Sequence, residues 1–324
     1  MVIMPFNEEH LEDAGALVAA RYRAERKLDL SLPPAFEDSG SIVPRLRDYA
    51  NGRLAGFLLG LLVLNIDRRL AWSPDWCHAA DSDDNREIYR AMYAELAPRW
   101  VTDGYFAHAV TVFAHEHTVS DAWYSLGFGV TTVDAFRDLA PVEGPVTDVE
   151  IRRATLQDID PVITLVIALR RHMASAPAFM PFITHRERQR TQQWLSDSNN
   201  AMWLAYHDDE PVGFMGLQPS DPHGAVMPVS DKTIVAFNRT FTREDLRLRG
   251  FGTALLDYSL DWARSAGYER CSVDYESTNI IGSRFWESKG FRPVCYSLVR
   301  HVDERIAWAH KDRDETDILR EFQS

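Results

Sequence analysis

The chain has 324 residues, of which 45% are apolar and 26% charged, a composition typical of a globular protein long enough for two domains. Its formal net charge of −13 argues against nucleic-acid binding, because phosphates attract Lys and Arg, and it mildly favours cationic partners such as amines. No uncharged apolar run reaches about 18 residues, which predicts that no segment spans a membrane.

The cysteines and the first residues indicate the compartment. Cys77, Cys271 and Cys295 lie far apart and show neither metal-ligand nor redox spacing. The first ten residues are acidic and lack the apolar core of a signal peptide. We therefore expect a reduced, cytoplasmic protein.

Apolar periodicity predicts the elements in chain order. Amphipathic helices are expected first in the chain and again after its middle, and strands are expected where apolar residues alternate with polar ones. The helices are predicted over Glu12–Glu25 and Asp158–Met173, and a β-hairpin over Trp203–Tyr206 and Val212–Leu217. Pro, Gly and Asp cluster at Pro141–Val149, which predicts a domain boundary there.

One segment is written twice in the sequence. The stretch that starts at Ala91 matches the stretch that starts at Ala254 without a gap, at an offset of 163 residues. Gly104-Tyr105, Trp123 and Gly127-Phe128 fall on Gly267-Tyr268, Trp286 and Gly290-Phe291. Each copy predicts a helix ended by glycine, a short strand, a second helix ended by glycine, and a further strand. The repeat predicts two related domains at 1–145 and 149–300, followed by a polar, helical tail at 301–324.

The segment Thr240–Leu256 carries the candidate chemistry. A β-prone stretch enters a turn with two glycines, which opens directly into an apolar helix. Such a turn directs backbone N–H groups and the positive end of the helix at one point, where a pyrophosphate can bind. Gly250 and Gly252 would allow close approach of the phosphate oxygens, and Arg247 and Arg249 could add charge-assisted contacts.

Two motifs in order resemble the GCN5-related N-acetyltransferase (GNAT) superfamily. The first is Arg-x-x-Gly-x-Gly at Arg247, Gly250 and Gly252, which is similar to the coenzyme A pyrophosphate loop of that family. The second lies about 30 residues further on and consists of Asn279, Gly282, Phe285-Trp286 and Gly290-Phe291. The resemblance covers residues 149–300, and it reaches the N-terminal half only through the repeat.

The resemblance implies an α/β (α+β) fold of two GNAT-like domains, each a mixed, mostly antiparallel sheet flanked by helices. The sheet would open beside its fourth strand to admit acetyl-CoA as the acyl donor, without a metal. The implied cofactor-binding residues are Thr240, Phe241 and Thr242 for the pantetheine arm, Arg247, Leu248, Arg249, Gly250, Phe251, Gly252 and Thr253 for the pyrophosphate, and Asn279, Ser283 and Trp286 on the far side. An amine would attack the thioester directly, aided by a general base and a general acid.

The acid and the base are less evident in the sequence. Many family members have an acidic tyrosine at the position of Trp286, whose indole cannot supply a proton near neutral pH. Tyr296 is the candidate acid, with Tyr275 as an alternative, and release of the thiolate into water without an acid also remains open. Glu244, just before the loop, is the candidate base.

Histidines in the N-terminal half suggest a metal site at first sight. His115 and His117 would share one face of a strand. No third ligand is identifiable nearby, and we therefore predict no metal site.

At the repeat offset, Asp84, Glu87 and Tyr89 replace Arg247, Gly250 and Gly252 in the N-terminal copy. Carboxylates and side chains stand where an anion and open backbone are needed, so this copy is predicted to be degenerate. The leading hypothesis is an N-acetyltransferase with a C-terminal active domain, acting on a small amine or a lysine-containing peptide. The alternative is a coenzyme A-binding regulatory or interaction protein without turnover, which the exchange of tyrosine for Trp286 keeps open.

Overall fold

A computed structural model describes residue 6 and residues 10–46, 56–64, 69–81, 85–144, 148–181 and 186–306. The helices in chain order are α1 (Leu11–Leu28), α2 (Val43–Leu46), α3 (Asn85–Thr102), α4 (His117–Ser125), α5 (Ile159–Ala174), α6 (Glu187–Ser196), α7 (Phe251–Ser265) and α8 (Ile280–Ser288). The strands are β1 (Gly56–Leu58), β2 (Leu61–Leu64), β3 (Arg69–Ser73), β4 (His78–Ala80), β5 (Ala107–Phe113), β6 (Gly129–Asp138), β7 (Glu150–Arg153), β8 (Ala201–His207), β9 (Glu210–Pro219), β10 (Ile234–Thr242), β11 (Arg270–Glu276) and β12 (Arg292–His301).

The chain divides into two compact units. Unit 1 runs up to Thr131 and includes Ala225–Pro228 and the residues from Cys295 onward. Unit 2 comprises Thr132–Gly224 and Val229–Val294. The chain passes from one unit to the other within β6 and again within β12. The predicted boundary near 145–149 lies in neither of these strands.

Unit 1 is built from α1 to α4 and a mixed sheet. β2 is antiparallel to β3, β3 is parallel to β5, and β5 is antiparallel to the Cys295–His301 part of β12. A separate pair joins β1 to β4. Aromatic side chains dominate the core, where Tyr89, Tyr93, Trp123 and Phe128 pack together.

Unit 2 has the mixed, mostly antiparallel sheet predicted for this half. The strands run in the order β6 (Thr132–Asp138), β11, β10, β9, β8 and β7, and of these neighbours only β10 and β11 are parallel. An apolar stripe on α5, formed by Val162, Leu165 and Val166, packs on β8, β9 and Phe241 of β10. On α7, Leu255, Leu256 and Leu260 are buried at helical spacing.

The repeat in the sequence is a repeat of elements. Shifted by 163 residues, β5 coincides end to end with β11, α4 with α8, and β6 with β12. The helices α3 and α7 end at the same repeat position, each followed by a glycine in the left-handed region, Gly104 at φ +80° and Gly267 at φ +87°. The glycine is needed because an L side chain is disfavoured at these angles.

The structure describes only part of the C-terminal tail. β12 continues to His301, so the start of the predicted helical tail at 301 belongs to a strand. Residues 307–324, which make up most of that tail, lie outside the described residues, as does Asp84 of the N-terminal copy.

Candidate active site

The sheet of unit 2 opens beside β10. Pairing of β10 with β11 ends at Phe237 and Val273, while β10 continues along β9 as far as Thr242. The register with β9 shifts between Phe237 and Arg239, which marks a β-bulge where the two parallel strands separate. A gap therefore borders residues 238–242 on the β11 side.

The backbone of β10 faces this gap at alternate residues. The N–H of Arg243 donates to the carbonyl of Val212 on β9 over 2.8 Å. Because strand residues alternate, Thr240 and Thr242 direct their N–H and C=O groups away from β9, into the gap. Apart from the Thr242 carbonyl, which accepts from Arg247, these groups form a strand edge that an extended ligand could extend by hydrogen bonding.

The glycine turn leads directly into α7. Gly250 is the N-cap residue at φ +87°, and no side chain caps the helix. The first N–H groups of α7 therefore have neither an intrahelical nor a capping partner, and the helix dipole adds positive potential to them. A Cβ at Gly252 would lie only 3.3 Å from the Phe285 ring and 3.5 Å from the Thr242 hydroxyl, so this position is already closely packed.

A cavity of about 590 Å³ joins the strand edge to the turn. Its lining residues from α5 and β10 are Leu169, His172, Thr240, Phe241 and Thr242, those from the turn and α7 include Arg247, Leu248, Gly250, Phe251, Gly252 and Thr253, and those from α8 include Asn279, Gly282, Arg284, Phe285, Trp286, Ser288 and Lys289. The hydroxyl of Thr240 is buried and has no hydrogen-bond partner within the described part of the chain. A bound ligand could supply that partner.

Arg247 is folded over the turn. Its Nε donates to the Thr242 carbonyl over 3.3 Å, its Nη2 lies 3.7 Å from Glu244 Oε1, and its guanidinium carbon is 5.8 Å from the centre of the Phe241 ring. Arg249 is exposed. Of the two arginines predicted to contact phosphate, Arg247 thus also shapes the turn.

The second motif forms the opposite wall. Asn279 caps α8, its Oδ1 accepting from the N–H of Gly282 over 3.2 Å. The Trp286 ring is buried, with its centre 5.3 Å from that of Phe237 and 4.9 Å from that of Phe291. Ser283 donates its hydroxyl to carbonyls of its own helix and is not among the lining residues.

A histidine that sequence reasoning missed faces the cavity. His172, in the last turn of α5, lies with its Nδ1 2.8 Å from Oε1 of Glu244, the residue predicted to be the base. The Glu244 side chain is 62% exposed and is held between His172 and Arg247. His172 could have been found from the sequence, because it continues the apolar spacing of Leu165 and Leu169 along the predicted helix.

The two candidate tyrosines lie elsewhere. Tyr296 is in the part of β12 that belongs to unit 1, where it packs against the aromatic core. The Tyr275 hydroxyl donates to Glu287 Oε1 over 3.4 Å. Among the described residues, no tyrosine, aspartate or glutamate lines the cavity, and His172 is its one imidazole.

The corresponding place in unit 1 is filled by side chains. Tyr89, at the repeat position of Gly252, is buried with its hydroxyl 3.0 Å from His78 Nδ1. Burial, with the Arg21 charge adding to it, holds the pKa of His78 well below its usual value. Glu116, at the position of Asn279, pairs through both carboxylate oxygens with Arg21.

Further charged groups surround this ion pair. Burial, reinforced by Glu116, raises the pKa of Glu25 to about 7, and His115 lies 3.3 Å from the same carboxylate. His108 instead bonds to Tyr93 and to the Tyr105 carbonyl, and burial lowers its pKa to about 4. No cluster of three or more His, Cys, Asp or Glu side chains suited to a metal occurs in the described ranges.

The fold and the site define the class of protein. Residues 169–291 match the family model described as "Acetyltransferase (GNAT) family". The segment contains β10, the turn, α7 and α8, which build the cavity. Residues 169–291, the part of the chain that builds the cavity, therefore match the GNAT superfamily.

Curated relatives and a solved structure agree with this family. The chain is 26% identical to N-acetyltransferase 8B of Homo sapiens over 120 residues (37% of this chain, 50% of that protein), and 25% identical to N-acetyltransferase 8 of Homo sapiens over 108 residues (33% and 45%). It thus spans about half the length of these relatives. A GCN5-related N-acetyltransferase from Sphaerobacter thermophilus shares the fold at a TM-score of 0.60 and 13% identity, over 90% of this chain and 92% of that one.

None of the helices in the described ranges is both long enough and apolar enough to cross a bilayer.

Proposed function

We propose that the protein is an acyl-CoA-dependent N-acetyltransferase, which moves the acetyl group of acetyl-CoA to an amine acceptor in unit 2. The observation that carries this proposal is the junction of the strand edge at Thr240 and Thr242 with the uncapped start of α7, both on one cavity. An extended amide-containing arm suits the first feature, and a pyrophosphate suits the second.

The residues fit such a donor. The N–H groups at the start of α7, together with Arg247 and Arg249, would hold the pyrophosphate, and Thr240, Phe241 and Thr242 would align the arm. Asn279 and Trp286 would form the wall on the α8 side. When bound, acetyl-CoA would supply a thioester, whose carbon–sulfur bond would break as the amine nitrogen bonds to the carbonyl carbon, and coenzyme A would leave as a thiolate that takes a proton from water.

The proton from the amine requires an acceptor. A carboxylate accepts hydrogen bonds, so the neutral tautomer of His172 that donates from Nδ1 to Glu244 would have Nε2 available to accept a proton. We propose that His172 takes the proton and that Glu244, the base predicted from the sequence, fixes the ring. This assignment suits the cavity, which His172 lines.

A second candidate function is coenzyme A binding without turnover. It is favoured by the lack of a tyrosine or carboxylate among the described lining residues and by Trp286 at the position of the family tyrosine. Both functions require the same binding site. Release of free thiol in the presence of amines separates them.

Unit 1 has no role in donor binding under this proposal. Tyr89 and the Arg21–Glu116 pair occupy the positions at which a donor would bind in unit 2. We expect one acetyl-CoA bound per chain, and a calorimetric stoichiometry of two would contradict this.

Substitution of Gly252 tests the site. Gly252→Asp places a carboxylate at the start of α7, where it repels phosphate, and we expect acetyl-CoA binding measured by calorimetry to be lost. Gly252→Ala is the matched control, since it adds the Cβ that would lie 3.3 Å from Phe285 without adding charge. We expect it to weaken binding by less than about tenfold, a cost of about 1.4 kcal/mol.

The same variants show whether the placement of the site is wrong. Circular dichroism and thermal unfolding should be alike for both, because Gly252 does not have a positive φ. Unchanged acetyl-CoA affinity in a folded Gly252→Asp variant would refute the site. Thiol release against a panel of amines, polyamines, aminoglycosides and basic peptides then tests turnover and whether the acceptor is a small amine or a lysine-containing peptide.

A further inference from the structure

The end of α5 and the start of α6 are basic in an otherwise acidic protein. Within residues 170–181 and 186–190 the only acidic residue is Glu187, whereas five are arginines: Arg170, Arg171, Arg186, Arg188 and Arg190. Arg188 pairs with Asp160 on α5. The whole chain carries a formal charge of −13, so this concentration of positive charge is local.

Arg239 of β10 joins this region from the sheet. Its Nη1 lies 2.9 Å from the Thr191 hydroxyl and 3.5 Å from Glu187 Oε1. Arg170 Nη2 lies 3.5 Å from the other oxygen of Glu187. We call Arg170 and Arg239, which both contact the buried Glu187, together with the exposed Arg190, whose charge acts on Arg239, the arginine cluster.

The arginine cluster has more positive charge than Glu187 can neutralise. Burial lowers the pKa of Arg239, Glu187 opposes this effect, and the like charges of Arg170 and Arg190 add to it. The Nε of Arg170 is also buried without a hydrogen-bond partner among the residues described. Two guanidinium groups share one carboxylate and Arg190 adds a third positive charge, so an anion would relieve the repulsion and could accept from the unpaired donor of Arg170.

Two residues of the arginine cluster are neighbours in the chain of residues that line the cavity. Arg239 follows the bulge at which β10 leaves β11, and the next residue, Thr240, lines the cavity. Arg170 lies on α5 between Leu169 and His172, which also line it. Along β10, Arg239 is about 10 Å from Thr242, at the end of the gap away from the glycine turn.

We propose that the arginine cluster binds an anionic group of the acceptor, so that the preferred acceptors are small amines that also carry a carboxylate or a phosphate. Both groups match the planar guanidinium with paired hydrogen bonds. This proposal rests on the proposed acetyltransferase function. The arginine cluster would favour an anionic group on the acceptor, whereas the net charge of the whole chain favours cationic amines.

Binding of matched amines tests the proposal without requiring turnover. Protein saturated with CoA is titrated by calorimetry with 4-aminobutyrate against butylamine, and with phosphoethanolamine against ethanolamine. We expect the anionic member of at least one pair to bind about tenfold more tightly than its neutral-tailed partner, as a charge-assisted contact would give. The pair that shows the difference identifies carboxylate or phosphate.

Two exposed arginines provide the variant and its control. Arg190→Gln removes a cluster charge from the surface of α6, and Arg292→Gln removes an exposed charge on β12. We expect Arg190→Gln to weaken binding of the anionic amine by about tenfold and to leave binding of the neutral amine unchanged. Arg292→Gln should change neither affinity. Arg239→Lys keeps the positive charge but loses the paired donors of the guanidinium, so it should also weaken binding of the anionic amine.

Equal affinity within both pairs, no saturable binding of either anionic amine, or equal losses in Arg190→Gln and Arg292→Gln would overturn the proposal. Acetyl-CoA affinity is measured separately on each variant. If the wild-type protein fails to bind acetyl-CoA, the acetyltransferase function is refuted on its own, and the amine titrations on the free protein still test the anion site.

Discussion

The imidazole of His172 is fixed by its hydrogen bond to Glu244, and Glu244 is fixed in turn by Arg247. This arrangement orients the ring, with Nδ1 toward the carboxylate and Nε2 away from it. The carboxylate itself is mostly exposed and already has two cationic or donating neighbours. At the residue scale, we therefore propose His172 as the base and Glu244 as the positioning residue.

A substitution of His172 distinguishes this role from a structural one. We expect His172→Gln to lower kcat about a hundredfold, since general base catalysis contributes about 10²–10⁴-fold, and to leave acetyl-CoA affinity nearly unchanged. His301→Gln, at the exposed end of β12, is the control. A His172→Gln variant with wild-type kcat would contradict the assignment.

At the scale of elements, the two copies of the repeat share the glycines that end helices, but they differ at the glycine turn before α7. Gly267 and Gly290 lie at φ +87° and +84°, and their counterparts Gly104 and Gly127 at +80° and +84°. Gly250 and Gly252 have no glycine counterpart in the other copy. Glycines that end helices thus occur in both copies, and those proposed to lie against an anion occur only in unit 2.

The helix-ending role predicts a stability effect without a functional one. A Cβ at Gly267 would contact no atom within 4 Å, so Gly267→Ala isolates the cost of a side chain at positive φ. We expect the free energy of unfolding, from urea titration, to fall by about 1 kcal/mol, with acetyl-CoA affinity unchanged. Gly129→Ala, at an equally open position without positive φ, should cost less. Equal stability of the two variants would argue against the backbone role.

At the scale of the whole molecule, two strands contribute to the unit of the other half of the sequence. Thr132–Asp138 of β6 pairs with β11 in unit 2, and Cys295–His301 of β12 pairs with β5 in unit 1. The domains predicted at 1–145 and 149–300 would each be separated from one of these partners. We therefore propose that neither half reaches full stability alone.

Two fragments test this exchange. Residues 149–300 lack the β6 partner of β11, whereas residues 128–306 retain it, and both lack β5. We expect the longer fragment to have the higher Tm by circular dichroism, because the shorter one exposes an edge of β11 that is paired over seven residues in the intact chain. Equal Tm values would support independent domains with the predicted boundaries.

Local patterns in the sequence determined the elements, the two motifs and the glycine turn, because apolar spacing, helix-ending glycines and an N-cap asparagine act over a few residues. The helices α5, α7 and α8 and the hairpin of β8 and β9 were predicted on this basis, and the mixed, mostly antiparallel sheet was implied by the family resemblance; both are confirmed, whereas α6 was not predicted. The partners of β6 and β12, the contact of His172 with Glu244 and the arginine cluster were decided only by the tertiary structure. Each joins residues far apart in the chain, such as Arg170, Glu187 and Arg239, and such pairings depend on how the sheet and helices pack rather than on local sequence.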